Sequence, residues 1–147
     1  MSLRLIPSEE ALEPRLSGIG RYNWALASRV ANIAGVDEVR FWRSGHGITD
    51  PAALLDAGQG PPRDCRPRWA RDLAQRRFGR THLFHGPNYF LPDWAEGGVV
   101  TVHDLSVLRY PDMHPADRLA HFERRFARSL AIAGHIVIDS ETVRREA

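Results

Sequence analysis

Short apolar runs bounded by Gly, Pro and polar residues alternate along the chain with longer stretches whose apolar positions recur every three or four residues. The first kind reads as strands and the second as helices. The most sharply bounded run is Gly98-Val99-Val100-Thr101-Val102, which leads directly into His103-Asp104-Leu105. A continuous run of β-branched residues predicts a strand covered on both faces, as in a parallel sheet.

The remaining pattern follows the same alternation. Leu3 to Ile6 predicts a first strand, and Pro7 to Arg15 a polar connector. Ile19, Tyr22, Leu26, Val30 and Ile33 then share one helical face, with Ser17 as N-cap and Gly35 as the residue past a helix that runs to about Ala34. Val36 to Trp42 predicts a second strand with Val39 and Phe41 on one face. From Ser44 to Cys65 the pattern dissolves into Gly, Pro and Asp around Ala52 to Leu55, predicting a long loop. A basic helix is expected over Pro67 to Phe78, closed by Gly79, with Trp69 and Leu73 as a thin apolar stripe. Thr81 to His85 predicts a strand ending in Gly86-Pro87-Asn88-Tyr89. Pro115 to Ala133 predicts a helix lined by Leu119, Phe122, Phe126 and Leu130, with Arg118, Glu123, Arg124, Arg125 and Arg128 on its solvent side. After Gly134, His135 to Asp139 reads as another buried strand, and Ser140 caps a final helix that has barely begun at Ala147. A chain that stops there reads as a piece of something longer.

Strand alternating with helix predicts an α/β fold, a mostly parallel sheet with helices on both faces. At 147 residues the chain is one domain, 1–147, long enough to bury about two thirds of its unfolded surface. Hydrophobic and charged contents of 43% and 26% are those of a globular protein. The net charge of +2 and pI of about 9.2 look basic. The Arg residues, which make up all 20 basic side chains, are interspersed with acidic ones, so nucleic acid is not an expected partner. A single cysteine, Cys65, allows no intrachain disulfide and no cysteine-rich metal site. The sequence has no membrane-length apolar run and no signal-peptide core. These features predict a cytosolic protein whose membrane contact, if any, is peripheral, through Arg68, Arg71, Arg76 and Arg77 of the basic helix.

Two sets of residues carry the candidate chemistry. His103 and Asp104 follow a central strand, and the carboxyl ends of such strands are where open α/β sheets bind ligands. His85, Asn88 and Tyr89 are expected on the same rim. The bland alternative is that His103 merely bonds a neighbouring loop. The second set is Ser17-Gly18-Ile19-Gly20-Arg21-Tyr22, a Gly-rich turn entering a helix, where backbone N–H groups and the helix dipole favour an anion. A tight turn without a ligand is its alternative. A dinucleotide fingerprint fits poorly: Asn23 stands where the third Gly belongs, and Asp37 and Glu38 open the next strand instead of closing it. No metal site is expected, because His82 and His85 on one strand point to opposite faces.

Taken together, Ser17–Tyr22, His85-Gly86-Pro87-Asn88-Tyr89, Thr101-Val102-His103-Asp104-Leu105 and Ile136-Val137-Ile138-Asp139-Ser140-Glu141 resemble, in order and spacing, the N-terminal half of retaining family-4 glycosyltransferases of the GT-B fold, nearest their bacterial mannosyl- and hexosyltransferases. The resemblance implies a Rossmann-like three-layer domain that holds a saccharide or lipid-linked acceptor in polysaccharide biosynthesis. The donor would be a nucleotide-sugar co-substrate, with no other cofactor. It implies that His103 lies beside the transferred sugar, donating to a hydroxyl or supporting charge as the bond to phosphate breaks. Gly18, Ile19, Gly20, Arg21 and Tyr22 would approach the donor diphosphate or the acceptor, with Asp104, His85, Asn88 and Tyr89 near the acceptor. The donor-binding C-terminal domain, with its spaced Glu pair, is absent from this sequence. Since positioning supplies about 7–11 kcal/mol of such a barrier, the chain alone is expected to be inactive. An uncovered sheet edge and domain face would favour homodimers. The other readings are a non-catalytic binding or regulatory module of this fold and an unrelated oxidoreductase.

Overall fold

The computed structural model describes residues 3–56 and 65–146. The described residues form a five-stranded parallel sheet, β1 (Leu3–Pro7), β2 (Val36–Val39), β5 (Leu83–Gly86), β6 (Gly98–Val102) and β7 (Ala133–Ile138), in the order β2-β1-β5-β6-β7. Helices flank it: α1 (Gly18–Val30), α2 (Arg68–Thr81), a short α3 (Ser106–Arg109), α4 (Ala116–Ile132) and α5 (Glu141–Glu146). This is the expected Rossmann-like three-layer α/β sandwich. The chain leaves β1 for β2 on one side and returns to β5 on the other, so the topological switch point lies between β1 and β5.

Two apolar clusters hold the layers together. Ile6, Trp42, Phe84, Leu91, Ala95 and Val100 form one, closed by Phe78, Trp94 and Ile132. Tyr89, Val102, Leu105, Phe122, Phe126 and Val143 form the other, at the carboxyl end of the sheet. Side chains alternate across a strand. Val102 therefore meets the α4 aromatics while its neighbour Thr101 meets Tyr22 of α1.

Several elements differ from the sequence pattern. Helix α1 ends at Val30, and Gly35 (φ +91°) sits in the later turn into β2, so Ile33 is left exposed. Its buried face is Gly20, Asn23, Ala27 and Val30. These smaller side chains let the helix lie close to the sheet; a Cβ on Gly20 would come within 2.9 Å of the Ala11 carbonyl oxygen. The expected strand over Val36–Trp42 breaks at Arg40. Its second part becomes β3 (Phe41–Arg43), which pairs antiparallel with β4 (His46–Ile48) through a turn at Ser44 (φ +48°) and Gly45 (φ +84°). A hairpin thus occupies the start of the expected loop, and a 3₁₀ turn at Pro51–Leu55, capped by Asp50, follows it. Residues 57–64 of that loop lie outside the described residues. Helix α2 runs through Gly79, which packs against Trp94, and the next strand starts at Leu83.

In α4, Phe122 and Phe126 are buried as expected, but Leu130 is exposed and Ser129 takes the buried place. The Ser129 hydroxyl accepts from Leu91 N–H and donates to the Arg125 carbonyl. The strand expected to be buried, β7, is the sheet's edge, bonded on one side to β6, with Gly134, His135 and Ile136 exposed. Ser17 and Ser140 cap α1 and α5 as expected, accepting from Gly20 N at 3.0 Å and Val143 N at 3.2 Å.

Candidate functional site at the carboxyl edge of the sheet

Strands β6 and β7 pair in register, Thr101 with Val137 and Val102 with Ile138. The residues that follow, His103 and Asp139, therefore leave the sheet side by side. His103 Nδ1 lies 2.8 Å from Asp139 Oδ2, and Nε2 lies 2.8 Å from the carbonyl oxygen of Pro87, just past β5. Both partners are acceptors, so both contacts are hydrogen bonds when the ring carries two N–H groups. The Tyr22 ring packs edge-on against the imidazole at 4.9 Å. Only 10% of the His103 side chain is exposed, against 40% for Asp139. Held this way, His103 bonds a neighbouring loop, and both nitrogens are engaged within the protein.

Beneath it, Thr101 Oγ1 is 2.9 Å from His85 Nε2 and 3.3 Å from the Tyr22 hydroxyl. His85 is buried, and burial, reinforced by the nearby charge of His103, depresses its pKa to about 4. It is a neutral support under the rim. Tyr89 is also internal: its ring belongs to the α4 aromatic cluster, and its hydroxyl accepts from Asp104 N–H at 3.1 Å. Burial, with the Asp104 charge adding to it, raises the Tyr89 pKa above the usual phenol range. Its backbone has φ +66°, an uncommon conformation for a residue with a Cβ.

Asp104 lies exposed at the edge and accepts from Ser106 N–H (2.9 Å) and Oγ–H (2.6 Å), opening α3. Partial burial pushes its pKa up, but the two Ser106 bonds outweigh this and hold it below the ordinary carboxylate value. Of the Gly-rich turn, Gly20 N–H is taken by the Ser17 cap and Ile19 packs on the aromatic cluster. Arg21 is exposed, and a Cβ on Gly18 would have open space around it. The first helical amides, Gly18 and Ile19, have no acceptor within the helix.

At the switch point a cavity of about 370 Å³ opens between the ends of β1 and β5. Ser8, Glu10, Trp42, Gly86, Asn88, Phe90 and Arg125 line it. Of the expected rim residues, Asn88 alone faces this cavity. Glu9, next to Glu10 in sequence, is fully buried, with neither carboxylate oxygen hydrogen-bonded among the described residues. Burial raises its pKa to about 8, against the pull of Arg43. Asp139, Thr101, Glu9, Glu10 and Arg125 were not singled out by their sequence context. For Asp139 a signal was present: two apolar strands, each ending in an ionisable residue. Among the described residues no group of three or more His, Cys, Asp or Glu side chains is placed to hold a metal ion. His82 turns to Glu38 and His85 to Thr101. Among the described residues no helix is long and apolar enough to cross a membrane.

The polar groups of this parallel α/β sheet converge at its carboxyl edge and switch point, where open α/β sheets place their ligand sites. Comparison with known proteins narrows the class. The chain is 28% identical to the O-antigen chain mannosyltransferase B of Escherichia coli over 164 aligned positions, which cover 98% of the chain. It spans 42% of that protein's length. The sequence is thus glycosyltransferase-like from end to end. No protein-family model matches it, and no solved structure does.

Proposed function

We propose that the chain is the acceptor-side, N-terminal domain of a retaining, family-4 glycosyltransferase of the GT-B fold. The complete enzyme moves a sugar from a nucleotide-sugar to a saccharide or lipid-linked acceptor. The observation that carries this reading is similarity to a mannosyltransferase across nearly the whole chain. The His103–Asp139 pair at the carboxyl edge supports it.

In this reading the nucleotide-sugar is a co-substrate held mainly by residues outside this chain. The chain supplies the wall against which the acceptor lies. His103, with Asp139 on one nitrogen and the Pro87 carbonyl on the other, presents a ring of fixed orientation where charge develops as the sugar–phosphate bond breaks. Its ring is already bonded on both sides, so charge support fits its geometry better than donation to a sugar hydroxyl. Asp104 and Asn88 lie where acceptor hydroxyls pass, while Tyr22, His85 and Tyr89 fix the rim from behind. Gly18 and Ile19 offer their free amides to an anionic group.

The test is transfer of mannose from a nucleotide-sugar to a manno-oligosaccharide. The chain alone should show none. Fused to the C-terminal part of the E. coli relative it should regain transfer, with His103→Ala removing it. Transfer by the pure chain would refute the division of labour, and a folded but inert fusion would refute the glycosyltransferase reading.

A further inference from the structure

The switch-point cavity has a composition that selects its occupant. Arg125 stacks its guanidinium on the Phe90 ring at 4.6 Å and, among the described residues, has no carboxylate within ion-pair distance. Glu10 also lines the cavity. Its carboxylate accepts from the Ser44 N–H and hydroxyl, which fixes its position while leaving lone pairs for further donors. One fixed anion and one fixed cation thus face the same space without neutralising each other. The half-buried Asn88 side-chain amide has no protein partner among the described residues and adds two donors and an acceptor.

An anionic ligand is opposed by Glu10 and a cationic one by Arg125. A neutral ligand whose hydroxyls both donate and accept satisfies both, and the volume lies within the range of small-ligand pockets. From this arrangement we infer that the cavity is a subsite for a neutral hexopyranose unit of the acceptor. Glu10 accepts from its hydroxyls, Arg125 and Asn88 donate to its oxygens, and the Ser8 segment closes one side. This rests on the proposed function and extends it, because the cavity is distinct from the His103 site. The two share one wall. Gly86 and Asn88 face the cavity, while the carbonyl of Pro87 between them bonds His103. A Cβ on Gly86 would come within 2.2 Å of the Phe90 carbonyl oxygen, so the wall is tightly packed. A sugar in the cavity is a non-reacting unit whose binding energy places the reacting one beyond the wall.

Isothermal titration of the chain with α-linked mannotriose tests this, with gluconate and glucosamine as charged comparisons. Saturable binding of mannotriose is expected, with little of either charged sugar. Glu10→Gln, Asn88→Ala and Arg125→Ala should each weaken it by about tenfold or more. The Asn88→Ala variant removes an amide on which no other described side chain depends, so it decides the matter should either charge variant fail to fold. Unchanged affinity in Asn88→Ala, stronger binding of a charged sugar, or no binding at all overturns the subsite. The fusion assay reads separately: transfer that survives all three cavity substitutions overturns the subsite and leaves the glycosyltransferase reading standing.

Discussion

Asp139, the first residue past β7, holds its carboxylate 2.8 Å from Nδ1 of His103, the first residue past β6. The contact exists because the two strands run parallel and in register to their last residues. Asp139 is 40% exposed, and an ion pair of that exposure contributes about 0–1 kcal/mol to stability. Its importance is orientation. Asp139→Ala should therefore leave the urea midpoint nearly unchanged while removing the acceptor that keeps a proton on Nδ1. Nitrogen chemical shifts of the His103 ring report this directly; an unchanged Nδ1 shift would mean that Asp139 does not set the ring's protonation.

Two buried groups give the stability–pH curve a defined shape. His85, with its pKa lowered to about 4, is neutral in the fold, while an unfolded histidine (6.5) takes up a proton. Its contribution is present above pH 6.5 and is lost as pH falls toward 4. Glu9 works in the opposite sense, with a folded pKa of about 8 against 4.5 unfolded. Its contribution is full below 4.5 and is lost as pH rises through 8. Between pH 4.5 and 6.5 the two slopes offset each other, and above 6.5 only Glu9 remains. Urea denaturation should thus show stability falling between pH 6.5 and 8. Glu9→Gln should flatten that fall and stabilise the fold at pH 8 by roughly 2 kcal/mol or more. A slope that persists in Glu9→Gln would place its origin elsewhere.

Helix α2 has no buried residue and carries Trp69 and Leu73, one turn apart, at 71% and 64% exposure. Arg76, Arg77 and Arg80 continue that ridge. Exposed aromatic and aliphatic side chains beside arginines suit an anionic lipid surface. Co-sedimentation with vesicles containing phosphatidylglycerol is expected, weakened by salt and reduced at least about fivefold by joint Trp69→Ala and Leu73→Ala. Equal binding to neutral vesicles would count against it.

Strand β7 leaves its outer edge unpaired within the described residues, with Ile136 43% exposed. Such edges recruit further strands. Sedimentation velocity should show concentration-dependent self-association that Ile136→Lys suppresses. A single monomeric species at high concentration would exclude this edge as a contact.

The fold was legible in the sequence where pattern alone decides structure. The run Gly98–Val102 reads as a covered strand and is one, with His103 just past its carboxyl end. Relationships between elements were not legible. Pairing register made a partner of Asp139; its place at the end of an apolar run was visible, but the in-register neighbour that gives it His103 was not. The pleat of β5 turned His85 inward, and the bend that follows it, with Tyr89 in a left-handed backbone, turned Tyr89 inward and left Asn88 at the cavity. On helix α1 the apolar pattern found Val30, which is buried, and Ile19 and Tyr22, which pack at the rim, but it placed Ile33 on the same face and missed the close-packed Gly20, Asn23 and Ala27. The β3–β4 hairpin was hidden because its strands are three residues each. The Ser44-Gly45 turn that joins them was the signal passed over.

Tyr89 carries a left-handed backbone at the foot of the wall between cavity and histidine, at a cost of about 1–3 kcal/mol. What offsets that cost lies elsewhere, in its ring packed against Phe122 and Phe126 of α4. The contour of the rim is therefore set from inside the protein. A change of volume at Phe122 or Phe126 would let the turn relax and move Asn88 and Pro87, reshaping the proposed subsite without replacing any residue that lines it.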